Sequence, residues 1–193
     1  MKLKYFKSKT SNIPLPVFFP DATRAVLKTL DSIDIENTKT NGVLVNTYHL
    51  FKDLGKTVIK EHGGIRGFMN FHGGVISDSG GFQVMSLAKT LGGKITDNGV
   101  TFKPQGEPKL TLTPEESIEF QLALKTDMVV VLDDFTPPTA TEDEAKETVE
   151  RTLLWARKCK DKFDELTKGM KEKPYILGVA QGGKYQDLRA YCT

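Results

Sequence analysis

Cysteine is scarce. Cys159 and Cys192 are the only two in 193 residues, too few and too far apart for a disulfide framework or a Cys-rich zinc site. Histidine is nearly as rare: His49, His62 and His72 lack metal-ligand spacing, so His49 reads as structural and the other two as loop residues. No apolar run approaches the ~20 residues that span a bilayer, and the start carries no secretory pattern. A soluble, cytoplasmic protein without a membrane partner is therefore expected. Net charge is only +2, from 27 basic and 25 acidic residues. Any nucleic-acid-binding patch must then be local rather than global. Neither G-x-G-x-x-G nor a Walker A sequence occurs, which removes the commonest phosphate loops of doubly wound sheets.

What is present is a series of short apolar runs alternating with helical patterns. The stretch from Ile13 to Pro20 is apolar but studded with prolines, suited to a strand or extended segment. Asp21-Ala22-Thr23 can cap a helix running to about Leu30. Gly42 to Thr47 is a buried strand, followed by helical spacing from Tyr48 to Lys60 that Gly63-Gly64 ends. Residues 88–112 suit a β-hairpin excursion with Val100, Phe102, Leu110 and Leu112 as alternating apolar positions. Thr113-Pro114-Glu115-Glu116 starts a helix to about Lys125, with Thr at N-cap, Pro at N1 and Glu at N3. Asp127 to Leu132 is a strand ending in Asp133-Asp134. Thr141 caps a long helix with an apolar stripe at Ala145, Val149, Leu153, Ala156 and Phe163, near which Trp155 packs, and the charged run from Glu142 to Glu150 is its solvated face. A last buried strand runs from Tyr175 to Ala180 and ends in Gln181-Gly182-Gly183. Such alternation implies a parallel sheet covered on both faces. Polar residues recur at the strand ends, where a (β/α) barrel builds its site.

The chain is organised around residues 74–87. Val75 and Ile76 close a strand, and Ser77-Asp78-Ser79-Gly80-Gly81-Phe82 turns away from it. A carboxylate at a strand end, beside glycines that admit a ligand and an aromatic that can stack on it, makes a reactive corner. It equally suits a polar turn in which Asp78 caps the next element. The same two readings apply to Asp133-Asp134, as a site or a helix-capping turn, and to Gln181, as a ligand-binding or a plain loop residue. Phe82 likewise suits either a stacking position or the core.

Taken together, Asn46-Thr47-Tyr48-His49-Leu50, Ser77 to Leu87, Gly99-Val100-Thr101-Phe102-Lys103, Leu112-Thr113-Pro114-Glu115, Leu132-Asp133-Asp134 and Gln181-Gly182-Gly183 occur in order. This set closely resembles the tRNA-guanine transglycosylases, the queuine tRNA-ribosyltransferases, from about Pro16 to the last residue. The resemblance implies a TIM (β/α)8 barrel, with about its first five strands in this chain. It implies exchange of guanine at the tRNA wobble position for a 7-deazaguanine (queuine or its precursor). The route is double displacement through a covalent ribosyl-enzyme, as in retaining glycosidases, on a base turned out of its stack. Carried onto this sequence, Asp78 is the general acid/base. Ser79, Gly80, Gly81 and Phe82 form the base-binding turn, Asp133 reads the N1–H and N2–H edge, and Gln181 bonds the carbonyl side. Asn46 and Gln83 are weaker candidates for positioning ribose or nucleophile.

The family's second half supplies three further strands, the aspartate nucleophile, a glycine-rich base-binding loop and a Cys/His zinc site. The expectation is thus residues 1–193 as the N-terminal part of a catalytic barrel, with no metal ligand and no cofactor of its own. Zinc is expected only in the missing part. A truncated or partial enzyme that cannot act alone follows, with guanine, a 7-deazaguanine and tRNA as partners and a homodimer or heterodimer left open. Asp21-Ala22-Thr23-Arg24-Ala25 departs from the family's more glycine-rich stretch, and Phe135 follows the acidic pair where many bacterial members resemble Asp-Glu-Cys. Phe82 with Asp133-Asp134 leans toward the queuine-using branch. Two other readings are a non-catalytic tRNA-binding subunit of the same fold and a relative that modifies DNA.

Overall fold

The computed structural model describes residues 4–10, 12–81, 83, 86, 93–102 and 109–193. The chain divides into two compact units. The first holds the residues up to Asp78 with Phe120–Val129 and Lys171–Tyr175; the second holds Ser79–Glu119, Val130–Met170 and Ile176–Thr193.

In the first unit, β1 (Tyr5–Lys7) and β2 (Asn12–Pro14) pair antiparallel, with Phe6 opposite Ile13. The Ile13 strand therefore does not join the parallel sheet. Strands β3 (Gly42–Asn46) and β4 (Gly74–Asp78) pair parallel along their whole length, from Gly42 against Gly74 to Asn46 against Asp78. Met128 and Val129 of β8 (Met128–Val130) continue the sheet beside Ile76 and Ser77. Because side chains alternate along a strand, Val43, Val45 and Val75 enter one core with Leu50, Ile59, Ile65, Phe120 and Leu124. Leu44 and Ile76 take the other face and stay half-buried.

No helix forms from Asp21 to Leu30. Asp21 instead bridges Leu44 in parallel, with Ala22 N–H donating to Leu44 O at 2.6 Å and Leu44 N–H to Pro20 O at 2.9 Å. Ala25 and Thr29 then take positive φ, 61° and 65°, which an α-helix cannot accommodate. A short helix α1 (Ser32–Asn37) follows, closed by a reciprocal capping box between Asp31 and Asp34. The expected helix from Tyr48 to Lys60 is two, α2 (Thr47–Asp53) and α3 (Gly55–Glu61), broken where Gly55 adopts φ 70°. Beyond them lies α4 (Ile65–Met69).

Asp127 fastens this unit at the start of β8. Its side chain, 1% exposed, pairs with the Arg66 guanidinium of α4. The same carboxylate accepts the backbone N–H of Lys9 at 2.6 Å and of Val75 at 2.7 Å.

In the second unit, β5 (Lys94–Thr96), β6 (Gly99–Phe102) and β7 (Leu110–Leu112) form an antiparallel meander that buries Val100, Phe102 and Leu112. Helix α5 (Pro114–Leu124) begins there, and the Thr113–Glu116 capping box is formed in both directions at 3.0 and 3.1 Å. The Thr141–Glu144 box likewise opens α6 (Glu142–Thr167). The buried stripe of α6 is Ala145, Val149, Thr152, Trp155, Cys159 and Phe163. Leu153 and Ala156, expected inside, are half-exposed. The indole N–H of Trp155 explains part of the shift, since it reaches Asp97 O at 3.1 Å and turns that face of the helix inward. Helix α7 (Gln186–Tyr191) ends the fold.

Strand order in the main sheet is β3-β4-β8-β9, with β9 at Tyr175–Leu177. The last strand is shorter than expected and not buried: Tyr175 is 48% and Leu177 39% exposed. This is an α/β fold with one mainly parallel sheet and two antiparallel ones. Among the described residues no sheet closes on itself. No described helix is long and apolar enough to cross a membrane.

Candidate active site

Two polar clusters stand at the ends of the central strands, one in each unit. In the first, Asn46 ends β3 and is the register partner of Asp78, which ends β4. Asn46 caps α2 by accepting the His49 N–H at 3.2 Å on Oδ1. That fixes its amide plane, and Nδ2 donates to Asp78 Oδ2 at 2.7 Å. Asn46 thus orients the carboxylate by a charge-assisted bond. His49 is half-buried, and its pKa lies below the usual histidine value, through desolvation first and Arg24 second.

In the second unit, Asp133 is 6% exposed and receives a donor on each oxygen: Ser79 Oγ at 2.9 Å on Oδ1 and Gln181 Nε2 at 2.6 Å on Oδ2. Ser79 is held in turn, since its hydroxyl accepts the Gly81 N–H at 3.0 Å. Gly81 is glycine for a reason internal to this cluster. A Cβ there would lie 2.1 Å from Asp133 Oδ1 and 2.9 Å from Asp133 O, so the turn closes on the carboxylate itself. Gln181 is tethered at both ends, its Oε1 accepting the Thr136 N–H at 2.9 Å. Its backbone N–H donates to Cys192 Sγ at 3.3 Å. Beside it opens a cleft of about 400 Å³ lined by Phe135, Thr136, Pro138, Lys184 and Arg189.

Asp134 serves a different purpose from its neighbour. Consecutive extended residues point to opposite sides, and the Asp134 carboxylate pairs with Arg151 of α6. Its N–H donates to Thr152 Oγ1 at 3.0 Å. Arg151 also faces Asp97 at 3.5 Å. Sequence reasoning did not single out Arg151, Thr152, Thr136 or Cys192 because each contributes through a tertiary contact. The remaining positions are Gly80, buried with φ 82°, and Gln83, half-buried with its carbonyl accepting Ser86 Oγ at 3.4 Å. Phe82 lies outside the described residues.

Neither cysteine is poised for chemistry. Burial pushes the Cys159 thiol up to about 12, and its Sγ donates to Pro114 O at 3.4 Å. Among the described residues no three His, Cys, Asp or Glu side chains gather as a metal site. With both sulfurs engaged elsewhere, these residues do not fit a zinc ion.

An α/β chain with its acid and amide side chains set at the ends of parallel strands has the layout of a strand-end active site. The chain belongs to the queuine tRNA-ribosyltransferase family, whose model matches residues 2–193. It is 41% identical to the queuine tRNA-ribosyltransferase of Actinobacillus pleuropneumoniae serotype 5b (strain L20), over 92% of this chain and 45% of that protein. The enzyme of the same name from Vibrio campbellii (strain ATCC BAA-1116) is 40% identical over 92% of this chain and 46% of its own. That from Vibrio parahaemolyticus serotype O3:K6 (strain RIMD 2210633) is 38% identical over 98% and 52%. The chain spans about half the length of the curated relatives it matches.

Proposed function

We propose that this chain is the N-terminal part of a (β/α)8 barrel enzyme that replaces guanine in tRNA with a 7-deazaguanine. A carboxylate attacks the ribose C1′, guanine leaves with the electron pair of the glycosidic bond, and the incoming base displaces the enzyme carboxylate. Asp78 passes a proton to the leaving ring nitrogen and removes one from the entering base. Asp133 accepts the parallel N–H groups of the guanine-type edge, and Gln181 supplies its amide to the carbonyl side. The attacking carboxylate is not assigned to this chain. Asp134 is a poor candidate, since Arg151 and Thr152 hold it as a structural residue.

The observation that carries this reading is the Asp133 cluster. A nearly buried carboxylate needs donors, and here a hydroxyl and an amide occupy both oxygens. Those are the bonds that two base N–H groups would take over. The family relationship supplies the base and the nucleic acid.

The test is incorporation of labelled guanine into unmodified tRNA by the purified chain mixed with the C-terminal half of a relative. Exchange is expected in the mixture and lost with Asp78→Asn. Exchange that survives this substitution removes Asp78 from proton transfer, and exchange into DNA alone overturns the tRNA assignment.

A further inference from the structure

Basic charge is unevenly distributed. Four lysines fall within the first ten residues, and the first carboxylate is Asp21, yet the chain's net charge is only +2. The fold brings Lys7 and Lys9 beside the loop that precedes β9. There Lys7 and Lys9 line one cleft of about 230 Å³ with Lys171 and Lys173. Among the described residues none of these four ammonium groups is in an ion pair, whereas Lys160 and Lys162 of α6 each meet a carboxylate. Asp127 at the cleft floor adds little free negative charge, because Arg66 and two backbone N–H groups already take up its carboxylate. Glu172 alone remains to oppose the four cations. Burial pulls the Lys9 pKa below its ordinary value, against the attraction of Asp127.

An aromatic lies in the same cleft. Tyr175 is 48% exposed, and its ring is backed by Phe6 at 5.2 Å, which packs edge-on against Phe19 at 6.3 Å. Phe6 therefore holds the ring in place. A cationic groove beside a supported, solvent-facing aromatic is the arrangement that binds single-stranded nucleic acid, with phosphates on the lysines and a base on the ring. A free phosphate would use the lysines and leave the ring idle.

We propose that this cleft is a second RNA-binding site, holding one backbone phosphate among Lys7, Lys9, Lys171 and Lys173 with the adjoining base stacked on Tyr175. It is separate from the reacting base: Val75, which bonds Asp127, precedes Asp78 on β4 by three residues, roughly 10 Å of strand. The choice of RNA rests on the function proposed above; the cation–aromatic pairing does not.

The experiment uses the full chain and a short oligouridylate, which contains no guanine and so leaves base exchange out of the result. Binding is measured by fluorescence polarisation across a salt series, with inorganic phosphate as competitor. Oligouridylate should bind and phosphate should displace it. In the Lys171→Gln, Lys173→Gln double variant the slope of log K against log salt should shrink by up to about 0.7, the value of one neutralised phosphate contact. Tyr175→Ala should weaken oligouridylate by about 5-fold or more while leaving phosphate affinity unchanged. Circular dichroism verifies that both variants fold. An unchanged salt slope in the double variant overturns the site. Phosphate binding without oligouridylate binding overturns the RNA assignment in favour of a small anion. Failure of base exchange in the mixture with a relative's C-terminal half, with oligouridylate binding by this chain intact, counts against the function above and not against this cleft.

Discussion

Asp127→Asn isolates the value of one buried charge. The substitution keeps the volume, so the loss reports the carboxylate and not a cavity. Three donors converge on this group from positions far apart in the chain: the Lys9 N–H at 2.6 Å, the Val75 N–H at 2.7 Å and the Arg66 guanidinium. Arg66 has further acceptors in Gly73 O at 3.0 Å and Lys125 O at 2.8 Å, so it stays in place when its counter-charge goes. Removing one partner of a buried pair costs about 3–5 kcal/mol, because a charge remains without compensation. The Arg66 side chain is 16% exposed, so some solvent reaches it and the lower end, about 3 kcal/mol, is expected. For a chain of this size that is a fall in melting temperature of roughly 6–12 °C, and a large share of a typical folding free energy of about 5–15 kcal/mol. Urea titration followed by circular dichroism measures it. Asp164→Asn is the control, since the Asp164–Lys160 pair is 54% exposed on both sides and should cost less than about 0.5 kcal/mol. A loss under about 1 kcal/mol for Asp127→Asn would show that the clasp is dispensable.

Gly81→Ala forces a Cβ to within 2.1 Å of Asp133 Oδ1, so the turn must shift; a loss of about 1–3 kcal/mol is expected, and a neutral effect in thermal melts would refute the close approach. Asp133→Asn, in a version of the enzyme complete enough to bind guanine, should weaken that binding by about 1.5–3 kcal/mol, read by calorimetry; unchanged affinity would take Asp133 out of the site. The Cys159 thiol, raised from 9.0 to about 12 by burial, should resist iodoacetamide in the folded protein and react once urea unfolds it. The native state holds that proton more tightly than the unfolded chain, so this contribution to stability is complete below pH 9 and declines as pH rises from 9 toward 12. Urea midpoints that rise over that interval in the wild type relative to Cys159→Ala would contradict it.

Local signals in the sequence carried far. The Thr113–Glu116 and Thr141–Glu144 boxes are legible because both partners lie within one helical turn. Asp78, Asp133 and Gln181 stand out as polar residues that follow apolar runs, but position alone left each open between a site and a plain turn, and it was the family resemblance that gave them roles. What escaped depends on partners distant in the chain. Asp21 resembles a helix cap in its own neighbourhood, and only the edge of β3 at Leu44 makes it a bridge. Leu153 and Ala156 are more apolar than Thr152, yet Thr152 faces inward because Asp134 needs its hydroxyl. Asp127 reads as the first residue of a strand, and nothing near it points to Arg66. Gly81 was read as making room for a ligand, whereas the atoms it makes room for belong to Asp133.

The double tether on Gln181, to Asp133 Oδ2 at 2.6 Å and from the Thr136 N–H at 2.9 Å, has a kinetic consequence. On the reading proposed above, the resting protein already occupies the carboxylate with a mimic of the substrate's own donor. An arriving base trades one set of hydrogen bonds for a nearly equal set, and the net gain is small. A catalyst that must release one purine and admit another through the same doorway benefits from such a shallow well, because neither visitor becomes trapped. Discrimination then rests on how well a base's paired donors outcompete the Ser79 hydroxyl and the Gln181 amide, a contest that an isostere lacking one donor loses.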